Sequence, residues 1–211
     1  MSVITADAIS ATEGLTRFGD DSRSIATFEQ IVRVSLEGLF TELSCSNWYV
    51  REREIVNLFV FGHLVPQFLE HHLDLTMIGI EFPTMQVGVD ERSKFGAPKD
   101  LVIWPEGRTT LWKRCELSRG MDLRTLHGPG CKPFAVIEWK ATSLIMAASP
   151  KSAELAHGRD VDWLKRNLDG GMMTVGHAVL VRQRTREISL ECKRVSGKPA
   201  AETNFLTLPA R

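Results

Sequence analysis

Residues 134–140 read FAVIEWK and are the stretch that decides the fold of this chain. Four apolar residues without polar alternation predict a strand that is buried on both faces. Because side chains alternate between the two faces of a strand, Glu138 and Lys140 share one face. A second apolar stretch, residues 99–104 (KDLVIW), begins about 35 residues earlier and carries Asp100. If the strands pair, two carboxylates and an ammonium group share one small volume, which is costly unless a cation and an anionic substrate bind there.

Hydrophobic periodicity predicts the remaining elements outward from these two strands. An extra N-terminal helix is expected over residues 25–43, and the expected helix over 160–168 is capped by Asp160. The other expected elements are a helix over 49–70 and strands over 76–82, 100–104, 134–140, 176–182 and 188–195. Residues 1–20 are expected to be loosely ordered, and residues 196–211 to form a tail that packs on the surface or is disordered.

The order of these elements resembles that of the PD-(D/E)XK nuclease superfamily, which has the restriction-endonuclease-like fold. That family runs helix, three strands, helix, strand, with Asp on the second strand and Glu-x-Lys on the third. Asp100 and residues 138–140 stand at these places, and the resemblance covers roughly residues 49–195. It implies a single nuclease-like domain over residues 21–195, of the α/β class. Its mixed central β-sheet would have four to five strands flanked by helices.

The resemblance also implies the chemistry of a metal-dependent nuclease, which hydrolyses phosphodiester bonds in nucleic acid. Asp100 and Glu138 would hold Mg²⁺ or Mn²⁺, and Lys140 would orient the attacking water. In the family a helical Glu also reaches toward the metal, and this chain offers Glu52 and Glu54. These positions lie about 200° apart around a helix, so only one of them can face the metal. The alternative is that both are solvated acids of the first turn, where the helix dipole favours negative charge. The apolar stripe beneath Glu52 is the more continuous of the two, which favours Glu52 over Glu54 as the metal-facing acid by a small margin.

A second Glu-x-Lys motif, residues 191–193, shows that the motif is weak on its own, since one copy is expected by chance in a chain of this size. Only residues 138–140 have an Asp-bearing strand before them and a helix and a strand after them. We interpret 191–193 as the exposed face of an edge strand, where charges discourage aggregation. The alternative for 138–140 is a solvent-facing hairpin. One departure from the family pattern is Lys99, which separates Pro98 from Asp100.

Charge gives a mixed indication about partners. The 26 acidic and 26 basic residues cancel, which counts mildly against a non-specific nucleic-acid binder but leaves room for a local patch. The candidate nucleic-acid-binding residues precede the third strand: Arg108, Trp112, Lys113, Arg114, Arg119 and Arg124. Lys132 extends this stretch, and Trp112 could stack on a base. The alternative for this basic stretch is a solvated loop. The expected partner of the protein is nucleic acid, with DNA preferred to RNA.

The sequence also indicates a compartment. Four cysteines show no Cys-x-x-Cys pairing and no secretory framework, and six histidines lack zinc-ligand spacing. The first 14 residues do not resemble a signal peptide, and no apolar run approaches membrane-spanning length. The protein is therefore expected to be cytoplasmic and soluble, without a membrane partner. A homodimer is compatible with the sequence.

Two rival functions remain open. One is a catalytically inactive nuclease-fold protein that binds nucleic acid or a protein partner. The other is a plain α/β interaction domain in which the charged residues meet by accident. The second rival predicts that Asp100 and Glu138 lie too far apart to share a cation. The nuclease prediction requires Asp100, Glu138 and Lys140 to converge on adjacent strands.

Overall fold

The computed structural model describes residues 17–46, 50–84, 97–107, 132–142, 150–184 and 187–210. The helices are α1 (Ser22–Cys45), α2 (Glu52–Leu58), a π-helix (Phe59–Leu64), α3 (Val65–Glu70), a short 3₁₀ helix (Leu75–Met77) and α4 (Pro150–Asp169). The strands are β1 (Ile78–Thr84), β2 (Ala97–Ile103), β3 (Ala135–Thr142), β4 (Val175–Gln183), β5 (Ile188–Ser196) and β6 (Ala201–Leu208). Among the helices of these described ranges, none is both long and apolar enough to cross a membrane.

The strands form one mixed sheet in the order β1-β2-β3-β4-β5-β6. The pair β3 and β4 is parallel, and every other neighbouring pair is antiparallel. A parallel pair needs a long crossover connection, which here contains α4. The α/β class and the mixed sheet flanked by helices are therefore confirmed.

The sheet has six strands, so the prediction of four to five strands is wrong. The additional strand is β6, which pairs with β5 where a surface tail was expected. In β6 only Leu206 is buried, and most of the other side chains are exposed. Because β6 is held mainly by backbone pairing along one edge, its sequence lacks the apolar alternation that reveals a half-buried strand.

The strand that carries the second Glu-x-Lys motif is not an edge strand, so that interpretation is also wrong. Strand β5 pairs with β4 on one side and with β6 on the other. Glu191 and Lys193 are both half-buried rather than fully exposed. The prediction is wrong because β6, which covers β5, lacks the apolar alternation that indicates a half-buried strand.

Helices cover both faces of the sheet. On one face, α1 buries side chains at steps of three and four residues: Phe28, Ile31, Val32, Ser35, Leu36, Leu39, Phe40 and Leu43. The apolar side chains among these, together with Phe59 of the π-helix, belong to the same core as Leu101 and Trp139 of the sheet. On the other face, α4 packs Leu164 against the sheet, and a Cβ atom at Gly176 would lie 2.8 Å from that side chain. Glycine at this position lets α4 lie close to β4.

Helix α4 begins at Pro150, ten residues before the predicted start at Asp160. Proline suits the first turn of a helix because its missing N–H has no intrahelical partner there. The prediction that Asp160 caps the helix is therefore wrong. Asp160 lies in the middle of α4, and its carboxylate approaches Lys140 of the sheet.

Candidate active site

Strands β2 and β3 separate partway along their length. In the described part of the chain they pair only over residues 101–103 of β2 and 135–137 of β3, whereas β3 pairs with β4 along its full length. A strand edge without a neighbour leaves backbone N–H groups that need other acceptors. Here two carboxylates supply them: the Trp139 N–H donates to Asp100 Oδ2 (2.8 Å), and the Ala141 N–H donates to Glu52 Oε2 (3.2 Å). The open edge of β3 thus fixes one acid from β2 and one from α2.

Lys140 lies among three carboxylates at this open edge. Its Nζ is 3.3 Å from Asp160 Oδ2, 3.4 Å from Glu52 Oε1 and 4.0 Å from Asp100 Oδ2. Burial acts to lower the pKa of Lys140, but the attraction of Glu52 and Asp160, followed by Asp100, outweighs it, so the pKa is raised. Lys140 is therefore a protonated ammonium group at neutral pH.

Glu138 is the deepest acid of the site, with 6% of its side chain exposed. Its Oε1 lies 2.6 Å from Nζ of Lys99, whose ammonium group also lies 3.5 Å from the centroid of the Trp163 ring on α4. Burial raises the pKa of Glu138 to about 7; Lys99 opposes this shift, and the nearby charges of Asp100 and Asp160 add to it. Glu138 is thus a carboxylate that is costly to ionise without a cation beside it.

We call six residues from four elements the charged cluster: Glu52, Lys99, Asp100, Glu138, Lys140 and Asp160. Burial, as the largest cause, also raises the pKa of Glu52 and of Asp160, while Lys140 acts to lower both. The structure thus brings Asp100, Glu138 and Lys140 together on adjacent strands. Asp100 and Glu138 are near enough for the charge of one to affect the other.

The structure separates the two helix acids. Glu54 Oε2 accepts a hydrogen bond from the N–H of Arg51 (2.7 Å), which places it at the start of α2 on an exposed surface. Glu52, two residues earlier, faces the sheet and contacts Lys140. The structure therefore brings Glu52, and not Glu54, to the charged cluster, as expected for side chains about 200° apart around a helix.

Sequence reasoning missed two members of the cluster. The sequence predicts Asp160 as a helix cap, and Lys99 stands out only as a departure from the family pattern. The signal for Asp160 was Pro150: a helix that begins there places Asp160, Leu164 and Leu168 on one face, at steps of four. Lys99 gave no comparable signal, because its contact with Glu138 depends on where β2 leaves β3.

The predicted nucleic-acid-binding residues lie outside the described residues: Arg108, Trp112, Lys113, Arg114, Arg119 and Arg124. They remain a prediction. Lys132 is described, and its Nζ lies 2.9 Å from Asp20 Oδ2. Because Lys132 precedes β3, whereas the charged cluster lies toward the end of β3, it is not part of that cluster.

A small cleft of about 90 Å³ opens beside the cluster. It is lined by Glu52, Arg53, Val56, Ile80, Glu81 and Asp100. At its rim, Arg53 and Glu81 form an exposed ion pair of 2.7 Å. Glu81 has φ +49°, a left-handed conformation that is uncommon outside glycine. The cleft gives solvent access to Glu52 and Asp100.

The cluster fits a hard divalent cation in chemical type and in charge. Four carboxyl and two amino side chains give the cluster a formal charge of minus two, and carboxylate oxygens are the ligands that Mg²⁺ prefers. Glu138 Oε1 and Asp160 Oδ2 are buried atoms without a properly oriented hydrogen bond among the described residues, although an ammonium group lies near each. In that part of the chain, however, no three His, Cys, Asp or Glu side chains are grouped as a ready metal site. A cation that binds these carboxylates would therefore have to replace their contacts with the ammonium groups of Lys99 and Lys140.

Comparison of the chain with protein-family models, curated proteins and solved structures found no match. The geometry of the charged cluster is therefore the basis on which a function can be proposed.

Proposed function

We propose that this protein is a metal-dependent nuclease of the restriction-endonuclease-like fold, with Mg²⁺ or Mn²⁺ as its cofactor. One observation carries the proposal: acids from α2, β2 and α4 surround the Lys140 ammonium group where β3 has lost its neighbour β2. Charged groups gathered at this depth cost free energy in a fold that does not use them. Clusters of this kind favour a functional site over an accident of packing.

In this proposal Asp100 and Glu138 hold the metal, and Glu52 supports them from α2. The backbone of β3 already fixes the orientation of Asp100 and Glu52 through hydrogen bonds from Trp139 and Ala141. A bound divalent cation supplies a Lewis acid and makes a nearby water more acidic.

Lys140 is the group that meets the substrate. Its raised pKa keeps it protonated, so its ammonium group can donate hydrogen bonds to the attacking water and to the phosphoryl oxygens, where negative charge increases. Asp160 acts through Lys140 and not on the substrate, because its carboxylate holds the ammonium group in place from α4.

The second candidate is a protein of the same fold that binds nucleic acid or a protein and cleaves nothing. The contacts of Lys99 and Lys140 favour it, because these ammonium groups partly neutralise the carboxylates without a metal. A cluster that is stable in this form could persist for structural reasons alone.

The deciding experiment incubates the purified chain of 211 residues with single- and double-stranded DNA and RNA, in Mg²⁺, in Mn²⁺ and in EDTA. We expect cleavage in either metal and none in EDTA, with DNA cut faster than RNA. Binding is measured in parallel by gel shift. Binding in all three conditions without cleavage would favour the second candidate, and neither binding nor cleavage would reject both.

A further inference from the structure

The ammonium group of Lys99 is held from two sides in a nearly dry position. Its Nζ lies 2.6 Å from Glu138 Oε1 and 3.5 Å from the centroid of the Trp163 ring. Only 11% of the Lys99 side chain and 6% of the Glu138 side chain are exposed. A cation above the face of a tryptophan ring is attracted by its quadrupole, more strongly where water is excluded. Lys99 is thus positioned by two attractive contacts.

The two lysines of the cluster divide the carboxylates between them. Lys140 forms ion pairs with Glu52, Asp100 and Asp160. Glu138 forms an ion pair only with Lys99 among the described residues. Lys99 is therefore the cation that compensates the deepest acid, and its removal leaves the ion pairs of Lys140 in place.

We propose that Lys99 is a built-in counter-ion of Glu138, which competes with the divalent cation for that carboxylate and so sets the metal affinity of the site. The role rests on the proposed function, since that function makes Glu138 a metal ligand. The ammonium group and a divalent cation repel each other at the distance that a shared carboxylate imposes. Lys99 therefore stabilises the metal-free protein and weakens metal binding.

The test compares Mn²⁺ binding by the wild-type chain of 211 residues with that of Lys99→Met, which keeps the length of the side chain and removes its charge. The control Lys198→Met removes an exposed lysine from the turn between β5 and β6, near the opposite end of the sheet. Isothermal titration gives the dissociation constant, and thermal unfolding gives the melting temperature with and without Mn²⁺. Circular dichroism checks folding, and Lys99→Gln replaces Lys99→Met if the latter does not fold.

We expect Lys99→Met to bind Mn²⁺ about tenfold more tightly than wild type, because one positive charge near the ion is gone. Its melting temperature should be lower than that of wild type in EDTA, and Mn²⁺ should raise it by more degrees. Lys198→Met should match wild type in both measurements. The double variant Lys99→Met/Glu138→Gln should not show this tighter Mn²⁺ binding, since it lacks the Glu138 carboxylate for which Lys99 and the ion compete.

Equal or weaker Mn²⁺ binding by Lys99→Met would overturn the counter-ion role, as would the absence of binding in both proteins. These results are separable from the cleavage assay. A chain that cleaves nothing, but binds Mn²⁺ more tightly as Lys99→Met, would remove the nuclease proposal and leave the role of Lys99. A chain that cleaves nucleic acid, with unchanged Mn²⁺ affinity in Lys99→Met, would do the reverse.

Discussion

The two Glu-x-Lys motifs of this chain lie two strands apart on the same sheet. Residues 138–140 are on β3 and residues 191–193 are on β5, and β4 lies between them. Ala178 of β4 is in register with Glu138 on one side and with Lys193 on the other. The two motifs thus share a sequence pattern, a sheet and a face, so that any difference in function comes from their surroundings.

Those surroundings differ in the neighbouring strands. Strand β5 is paired on both sides, and its motif forms ordinary ion pairs: Glu191 with Arg182 at 2.9 Å and Lys193 with Glu202 at 3.3 Å. Beyond Ile137, strand β3 is paired on one side only among the residues that the structure describes. There the N–H groups of Trp139 and Ala141 donate to carboxylates of β2 and α2, and these carboxylates lie around Lys140.

The comparison teaches that the open strand edge, more than the motif, makes the candidate site. Alternation puts an acid and a base on one face wherever Glu-x-Lys occurs in a strand. At β3, two backbone N–H groups bind Asp100 and Glu52, and α4 brings Asp160 to the same place. The predictions below use the motif of β5 as an internal control for the motif of β3.

The largest contrast is expected between the two lysines. Lys140→Met should lower the rate of metal-dependent cleavage by about 10²- to 10³-fold, because a donor to the developing phosphoryl charge is removed. Lys193→Met, which among the described residues breaks an ion pair with Glu202, should leave the rate within about twofold of wild type. Single-turnover kinetics at saturating Mg²⁺ measure both. Similar losses in the two variants would mean that the open edge of β3 has no special role.

A smaller contrast is expected between the two helix acids. Glu52→Ala should slow cleavage by about 10- to 100-fold and weaken Mn²⁺ binding, since Glu52 supports the cluster from α2. Glu54→Ala should leave both unchanged and lower the free energy of unfolding by about 1 kcal/mol or less, through its hydrogen bond at the helix start. Kinetics, titration calorimetry and urea unfolding separate the two effects. Equal loss of activity would show that both acids serve the helix.

A third contrast is expected in the pH dependence of stability without metal. The pKa of Glu138 is about 7 in the folded protein, against an ordinary value of 4.5, so between these values the folded state binds more protons than the unfolded state. Relative to Glu138→Gln, wild type should therefore lose stability as pH rises from about 4.5 to 7, by up to roughly 3 kcal/mol. Urea unfolding in EDTA at several pH values measures this. If the free energies of unfolding of wild type and Glu138→Gln change in parallel with pH, burial does not raise the pKa of Glu138.

Much of the fold could be predicted from local patterns. The run FAVI predicts β3, the apolar periodicity of residues 25–43 predicts α1, and the apolar stripe beneath Glu52 indicated which helix acid faces the sheet. Each of these signals depends on residues near in sequence. Strand β6 was missed because it is stabilised by pairing with β5 rather than by its own side chains.

The charged cluster could be predicted only in part. Asp100, Glu138 and Lys140 follow from alternation in two strands. Asp160 and Lys99 join them because α4 crosses that face and because β2 separates from β3, and both are long-range features. No periodicity in the sequence encodes where two strands separate.

The measurement that tests the central claim most directly is cleavage of DNA in Mg²⁺ by wild type, Glu138→Gln and Glu191→Gln. The three proteins are first shown to share the same circular dichroism spectrum. We predict that wild type and Glu191→Gln cleave at similar rates, that Glu138→Gln does not cleave detectably, and that EDTA stops all cleavage. Cleavage by Glu138→Gln at the wild-type rate, or equal loss in both variants, would contradict the claim that the open edge of β3 is the active site.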